Sequence, residues 1–263
     1  MAGTYLIGGG WPPDPLHDVY AAFADEVSDR PGDLVYLLQT GVNPRGWRRH
    51  FRDLGLPPAR QVTVRTGRAV QLDDIEAAAG VFVCGGDNPL YQAALSEHTH
   101  AIRAYLAEHD IPYAGFSAGA AVAGADAVVG GAVRIRPDGR QVPVAPSERD
   151  EGVPLLTIVP GLGLVPFGVD VHATQWGTLT RLIHAVASGV LDDGWGLDAH
   201  AAVRITADGR TDIFGPGNVY RVRSAGTGSA DVSVDRSVQV EILASGKGPV
   251  VSPRLTKDRR TLP

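Results

Sequence analysis

The chain has one cysteine, Cys84, among its 263 residues. One cysteine excludes an internal disulfide and a thiolate-built zinc site. Its place at the end of the apolar run Val81-Phe82-Val83 predicts a buried structural thiol. Positive charge is also scarce. Lys and Arg number 24 against 29 Asp and Glu, for a formal net charge of -5, and the basic residues are spread along the chain. That leaves no electrostatic footprint for a nucleic acid. No stretch approaches the roughly 20 apolar residues of a membrane span. Met1 runs directly into Thr4-Tyr5-Leu6-Ile7 without a basic segment or an apolar leader, so the expectation is a cytoplasmic protein with no membrane partner.

What is present suffices for a substantial core. With 44% hydrophobic residues, the chain reads as a single globular α/β domain over 1–263. The core spans about 4–222, and 223–263 form a β extension and tail. Short apolar runs alternate with segments of helical period, the pattern of a doubly wound, mainly parallel sheet with helices on both faces and a C-terminal β-hairpin extension. Strands are expected at 4–7, 34–38, 61–65 and 81–84. Helices are expected from Asp14, as N-cap, through Val27, and at 47–54, 72–79, 89–109 and 178–188. The polar segment 134–152 reads as a surface excursion that could border a site. Asp208-Gly209 marks a hairpin turn between 203–205 and 211–213. Strand-like runs recur at 219–222 and 238–243, and the basic residues 255–263 read as a frayed end.

Chemistry concentrates at Gly115-Phe116-Ser117-Ala118-Gly119. A Gly-x-Ser-x-Gly between an apolar strand and a run of small residues is a nucleophile elbow, which exposes the serine at the tip of a tight turn. The same pentapeptide also occurs as a mere tight connection. Ser117 is therefore the expected nucleophile of a serine-type hydrolase. The Ala118 amide is an expected oxyanion donor, and the Gly86 amide at the end of the preceding strand is the expected second one. A serine needs a base. Of the eight histidines, His172 alone follows an apolar run and precedes a helix, the place where catalytic residues of α/β proteins gather.

At this point the sequence resembles the dipeptidase E and cyanophycinase family of serine peptidases, whose fold is similar to the class I glutamine amidotransferases. The resemblance rests on Gly85-Gly86-Asp87-Asn88, on Gly115-Phe116-Ser117-Ala118-Gly119-Ala120, and on Gly161-Leu162-Gly163-Leu164 leading to Asp170-Val171-His172. Arg181-Leu182, Gly196-Leu197-Asp198 and Gly215-Pro216-Gly217-Asn218-Val219-Tyr220 continue it. It implies a metal-free and cofactor-free hydrolase that cleaves amide bonds of short or unusual peptides through an acyl-enzyme, and it is compatible with a homodimer. By position it makes Ser117 the nucleophile and His172 the base, with Asp87, Asn88, Asp170, Gln175, Trp176 and Arg181 near the substrate.

Two departures stand out. The cyanophycinase branch places a catalytic glutamate where this chain has Ala199. The remaining candidates for a partner of His172 are the adjacent Asp198, Asp126 at the spacing nearest the dipeptidase E branch, and His200. Arginines that hold a substrate carboxylate are replaced by Gln175, Trp176, Gly177 and Thr178, which argues against β-linked aspartyl-arginine as substrate. The alternatives are a non-catalytic homologue that binds a peptide-like ligand, and an esterase or acyltransferase built on the same elbow.

Overall fold

The computed structural model describes residues 2–149, 151–226 and 235–251. The basic tail 255–263 lies outside the described residues. Two mixed sheets carry the architecture. In spatial order the first contains Gly246–Lys247, Thr211–Phe214, Ala202–Ile205, Thr4–Ile7, Tyr113–Phe116, Ala78–Val83, Asp33–Gln39 and Ala59–Val64. Val238–Leu243, Val219–Ser224, Asp193–Leu197, Gly168–Val171, Asp126–Gly130 and Thr157–Pro160 form the second. Parallel pairing holds from Thr4–Ile7 across to Ala59–Val64, and at the centre of the second sheet. The flanks are antiparallel hairpin strands, including the expected hairpin Ala202–Ile205 and Thr211–Phe214.

Alternation along the strands sorts the core into two faces. Tyr5, Ile7, Tyr36 and Phe82 pack against Phe23 and Val27 of helix His17–Ser28 and against Trp47 and Phe51 of helix Arg45–Asp53. On the other face Leu6, Leu37, Val81 and Val83 meet Tyr91 and Leu95 of helix Asn88–Ser96 and Ile102 and Leu106 of helix Thr99–Glu108. Helix Leu179–Ala187 covers the second sheet through Leu182, Ala185 and Val186. Helices therefore lie on both faces, as in doubly wound α/β proteins. Cys84 is fully buried, and burial pushes its thiol well up.

Three local expectations are corrected. The helix expected at 89–109 is two helices, because the chain leaves helical geometry at His98 (φ -117, ψ 19). The Thr99 hydroxyl, donating to the Leu95 carbonyl, ties off the first of them. The helix expected at 72–79 is only a 3-10 turn, Leu72–Asp74, because Ala78 and Ala79 are claimed by the buried strand Ala78–Val83. Asp14 does not cap the first helix. It opens the 3-10 turn Asp14–Leu16, and the helix proper starts at His17.

Candidate active site

The parallel strands end on one edge, where α/β proteins build their sites. Gly8-Gly9-Gly10 follows Thr4–Ile7, Gly85-Gly86 follows Ala78–Val83, Ser117 follows Tyr113–Phe116 and His172 follows Gly168–Val171. Ser117 has φ +52 and ψ -111, a conformation that the surroundings must hold in place. Its amide donates to the Ile7 carbonyl at 2.8 Å, and its carbonyl accepts from Ala120 at 2.8 Å and Ala121 at 3.1 Å. The flanking glycines are required by space. A Cβ at Gly115 would lie 2.3 Å from the Gly119 carbonyl, and one at Gly119 would lie 2.1 Å from the Val83 carbonyl oxygen.

The Ser117 Oγ sits 2.9 Å from His172 Nε2. With the ring proton on Nδ1, Nε2 accepts from the serine hydroxyl. Among the described residues, this is the imidazole's single hydrogen bond. Its faces are held instead by packing. The Trp176 indole stacks on it at 3.8 Å between centroids and 20° between planes, and the Arg149 guanidinium lies 4.7 Å above the centre of the Trp176 ring. The Gly9 backbone abuts the ring so closely that a Cβ there would lie 2.2 Å from His172 Cε1. Burial first, and the Arg149 charge second, push the His172 imidazole down to about 4.

None of the three proposed partners of His172 supplies a carboxylate or second imidazole to it. Asp198 is committed elsewhere. Its Oδ1 accepts from the Thr174 amide at 2.9 Å and hydroxyl at 2.7 Å, and its Oδ2 from the Asn218 amide at 3.2 Å and the Tyr220 hydroxyl at 3.4 Å. It braces the loop after His172 rather than the ring. Asp126 is at the wrong level of the sheet: Ala127 pairs with Val169, which places Asp126 beside Gly168, four residues or about 13 Å before His172. The His200 ring packs on Gly10, and its buried Nδ1 has no partner among the described residues.

The substrate-side expectations divide. A cavity of about 240 Å³ is lined by Gly86, Asp87, Asn88, Ser117, Val171, Trp176 and the loop residues Glu148, Arg149 and Glu151. Asp87 also caps helix Asn88–Ser96 by accepting from the Leu90 amide at 2.9 Å. Asp170 and Arg181, expected to face the substrate, do not reach the cavity. Both are fully buried and pair with each other, Nε to Oδ2 at 2.7 Å and Nη2 to Oδ1 at 2.8 Å. Gln175 is turned away as well. Its Oε1 accepts from the Ala199 amide at 2.8 Å, so it serves the backbone beside the missing glutamate position. The amides of Gly86 and Ala118 make no hydrogen bond with any described residue.

Four residues of the site had no signal in the sequence. Gln39 accepts from the Asp87 amide at 2.7 Å and so fixes the Gly85-Gly86 turn. Glu148, Arg149 and Glu151 come from the segment 134–152, whose polarity marked it as a loop without saying which side chains turn inward. That segment also carries a small hairpin, Val133–Ile135 with Gln141–Pro143. A larger hollow of about 330 Å³ lies at the opposite end of the strands, beside Thr4, Tyr113 and Ile205, remote from Ser117 and His172.

No family model matches the chain. Its sequence is 29% identical over 178 residues to a cyanophycinase of Trichormus variabilis, covering 65% of this chain and 55% of that protein. To a cyanophycinase of Synechococcus elongatus it is 28% identical over 176 residues, covering 64% and 50%. The chain is thus similar to cyanophycinases over about two thirds of its length. It spans about half the length of these curated cyanophycinases. The fold is shared with a solved peptidase from an acI-B1 actinobacterium, at 13% identity and a TM-score of 0.58, covering 94% of this chain and 95% of that one.

Proposed function

We propose that this cyanophycinase-like chain is a serine-type hydrolase that cleaves an amide bond of a small or modified peptide through an acyl-enzyme on Ser117. The observation that carries the reading is the Ser117 Oγ at 2.9 Å from His172 Nε2, on a strained elbow that opens into a cavity. Relatives named cyanophycinase and a fold neighbour named a peptidase support hydrolysis of peptide-like substrates.

In this reaction Ser117 Oγ attacks the substrate carbonyl carbon while its proton passes to His172 Nε2. The carbonyl π pair moves onto oxygen, and the amides of Gly86 and Ala118 donate to the resulting oxyanion. Collapse breaks the C–N bond, and Nε2 returns the proton to the leaving nitrogen. Water then attacks the acyl carbon, giving its proton to Nε2. A second collapse releases the carboxylic acid, and the proton goes back to Ser117 Oγ.

Orientation of the base falls to Trp176 and Gly9 instead of a carboxylate. Such packing fixes the ring plane, but it does little for the imidazolium that forms during the reaction. The expected enzyme is therefore a slow one. Replacing Trp176 by alanine should lower kcat by at least about tenfold, with a smaller change in KM. The flat ring of Trp176→Phe should restore much of the loss. The proton inventory predicts an unusual pH profile. Neutral His172 is the competent base, and its imidazole titrates near 4, so for an uncharged substrate kcat/KM should hold its value down to about pH 5 and fall below. Arg149→Gln removes a charge that disfavours the imidazolium, and it should move that acid limb to higher pH.

Cyanophycin itself is not the expected substrate. Trp176 is stacked on the base and Arg181 is paired with Asp170, so neither is available as a carboxylate clamp. The missing carboxylate on His172 is also the observation that favours a binding-only role. A panel of short peptide amides and matching esters, assayed for amine or alcohol release with Ser117→Ala as blank, separates the readings. Amide turnover above the blank supports the hydrolase, release from esters alone supports an esterase, and no release supports a binding protein.

A further inference from the structure

The segment carrying Glu148, Arg149 and Glu151 brings a third carboxyl group to the Asp170–Arg181 pair. Arg181 Nη2 donates to Glu151 Oε1 at 3.2 Å, and Asn88 Nδ2 donates to Glu151 Oε2 at 2.7 Å. Two carboxylates thus share one guanidinium. Asp170 holds it with two short bonds and no exposure, so Glu151 takes the weaker share. An ionised carboxylate offers about four acceptor positions, and these two bonds leave the others open. Burial first pushes the Glu151 carboxyl up, Asp170 adds to it, and Arg181 and Asn88 only partly oppose them. The result is about 7. The protein has built an incompletely compensated negative charge into the wall of the cavity that holds Ser117.

The other charges facing the cavity reinforce the sign. Asp87 and Glu148 are acidic, and the single basic lining residue, Arg149, is laid over the Trp176 ring. Resting on the hydrolase reading above, we propose that Glu151 is a specificity-determining residue that receives a cationic group of the substrate, an ammonium on the amino-acid residue next to the scissile bond. A cation there completes the balance that Arg181 leaves unfinished and stands where its attraction is screened least. A substrate carboxylate is repelled by the same charge.

The test reads binding without turnover, in Ser117→Ala, by titration calorimetry. Its ligands are acetyl-glycyl-lysine amide, acetyl-glycyl-norleucine amide and acetyl-glycyl-glutamate amide. At pH 8 the lysine ligand should bind at least about tenfold more tightly than the norleucine ligand, with the glutamate ligand weakest. The lysine ammonium stays protonated throughout the range. A wall group titrating near 7 should therefore weaken lysine binding about tenfold between pH 8 and pH 6 and leave norleucine binding unchanged. Glu151→Gln in the same background should remove the preference. The pH comparison needs no second substitution, so it stands even if that variant folds poorly. Equal affinities at pH 8, a preference for glutamate, or a lysine preference that is flat with pH or survives Glu151→Gln would overturn the assignment. Loss of amide turnover in the wild type would instead count against the hydrolase reading and leave this result standing.

Discussion

Ser117→Ala is expected to lower kcat by more than about 10³ while leaving the melting temperature within a few degrees of wild type. The size of the loss is itself informative. In a serine hydrolase with a complete triad, removing the serine costs about 10⁶, and removing the aspartate alone costs about 10⁴ to 10⁵. A serine and histidine working with an unoriented ring would therefore retain only about 10² of advantage to lose. Here no described carboxylate reaches His172, yet Trp176 lies 3.8 Å from it ring to ring and the Gly9 backbone abuts the ring. Orientation by packing should recover part of the difference, which places the loss above about 10³ and below the value for a full triad. Because the two residues act as one unit, Ser117→Ala with His172→Ala should be no slower than either alone. A loss near 10² would mean that the stack contributes nothing.

Asp170→Asn should be the most destabilising single change near the site. Asp170 and Arg181 are both fully buried and joined by bonds of 2.7 and 2.8 Å. Removing Asp170 leaves the buried Arg181 charge with only the longer Glu151 contact, at a cost of about 3–5 kcal/mol. For a chain of this size that is a fall in melting temperature of roughly 10 °C. Replacing both residues, by Asp170→Leu and Arg181→Met together, should recover much of the loss, because the solvation cost of both charges disappears with them. The effect should also depend on pH through Glu151. Its carboxyl titrates near 7 in the folded chain against an ordinary value of 4.5. Its contribution to stability is therefore complete below about 4.5 and is lost as the pH rises through about 7. In Asp170→Asn burial still raises it, but the Asp170 repulsion is gone and Arg181 belongs to Glu151 alone, so that loss should shrink. The difference in stability between variant and wild type should be smaller at pH 8 than at pH 5. Thermal melts at the two pH values measure it.

The Ser117–His172 pair was legible because its signals are local. The elbow at 115–119 is written in glycines whose Cβ atoms would strike the Gly119 and Val83 carbonyls. His172 announces itself by following a buried strand. Parallel strand ends then bring Gly86, Ser117 and His172 to one edge, which topology alone dictates. What stayed hidden depends on tertiary pairing. Asp170 and Arg181 looked like substrate ligands, because sequence reports their charge but not that each faces the other in the core. Asp198 stands beside the family's glutamate position, and only the folded chain brings Thr174, Asn218 and Tyr220 to claim it. Glu151 comes from a segment without hydrophobic period, where nothing in the sequence tells an inward side chain from a solvated one.

In the proposed mechanism Ser117 is a nucleophile activated by a base without a carboxylate partner. Labelling with an alkyl fluorophosphonate, followed by peptide mass spectrometry, tests it most directly. A single adduct on Ser117 is expected, formed at a rate nearly constant from pH 8 down to about pH 5, in keeping with an imidazole held near 4. His172→Ala should abolish the adduct, and Trp176→Ala should slow its formation. No adduct on Ser117, under conditions that label an ordinary serine hydrolase, would rule out a nucleophilic Ser117.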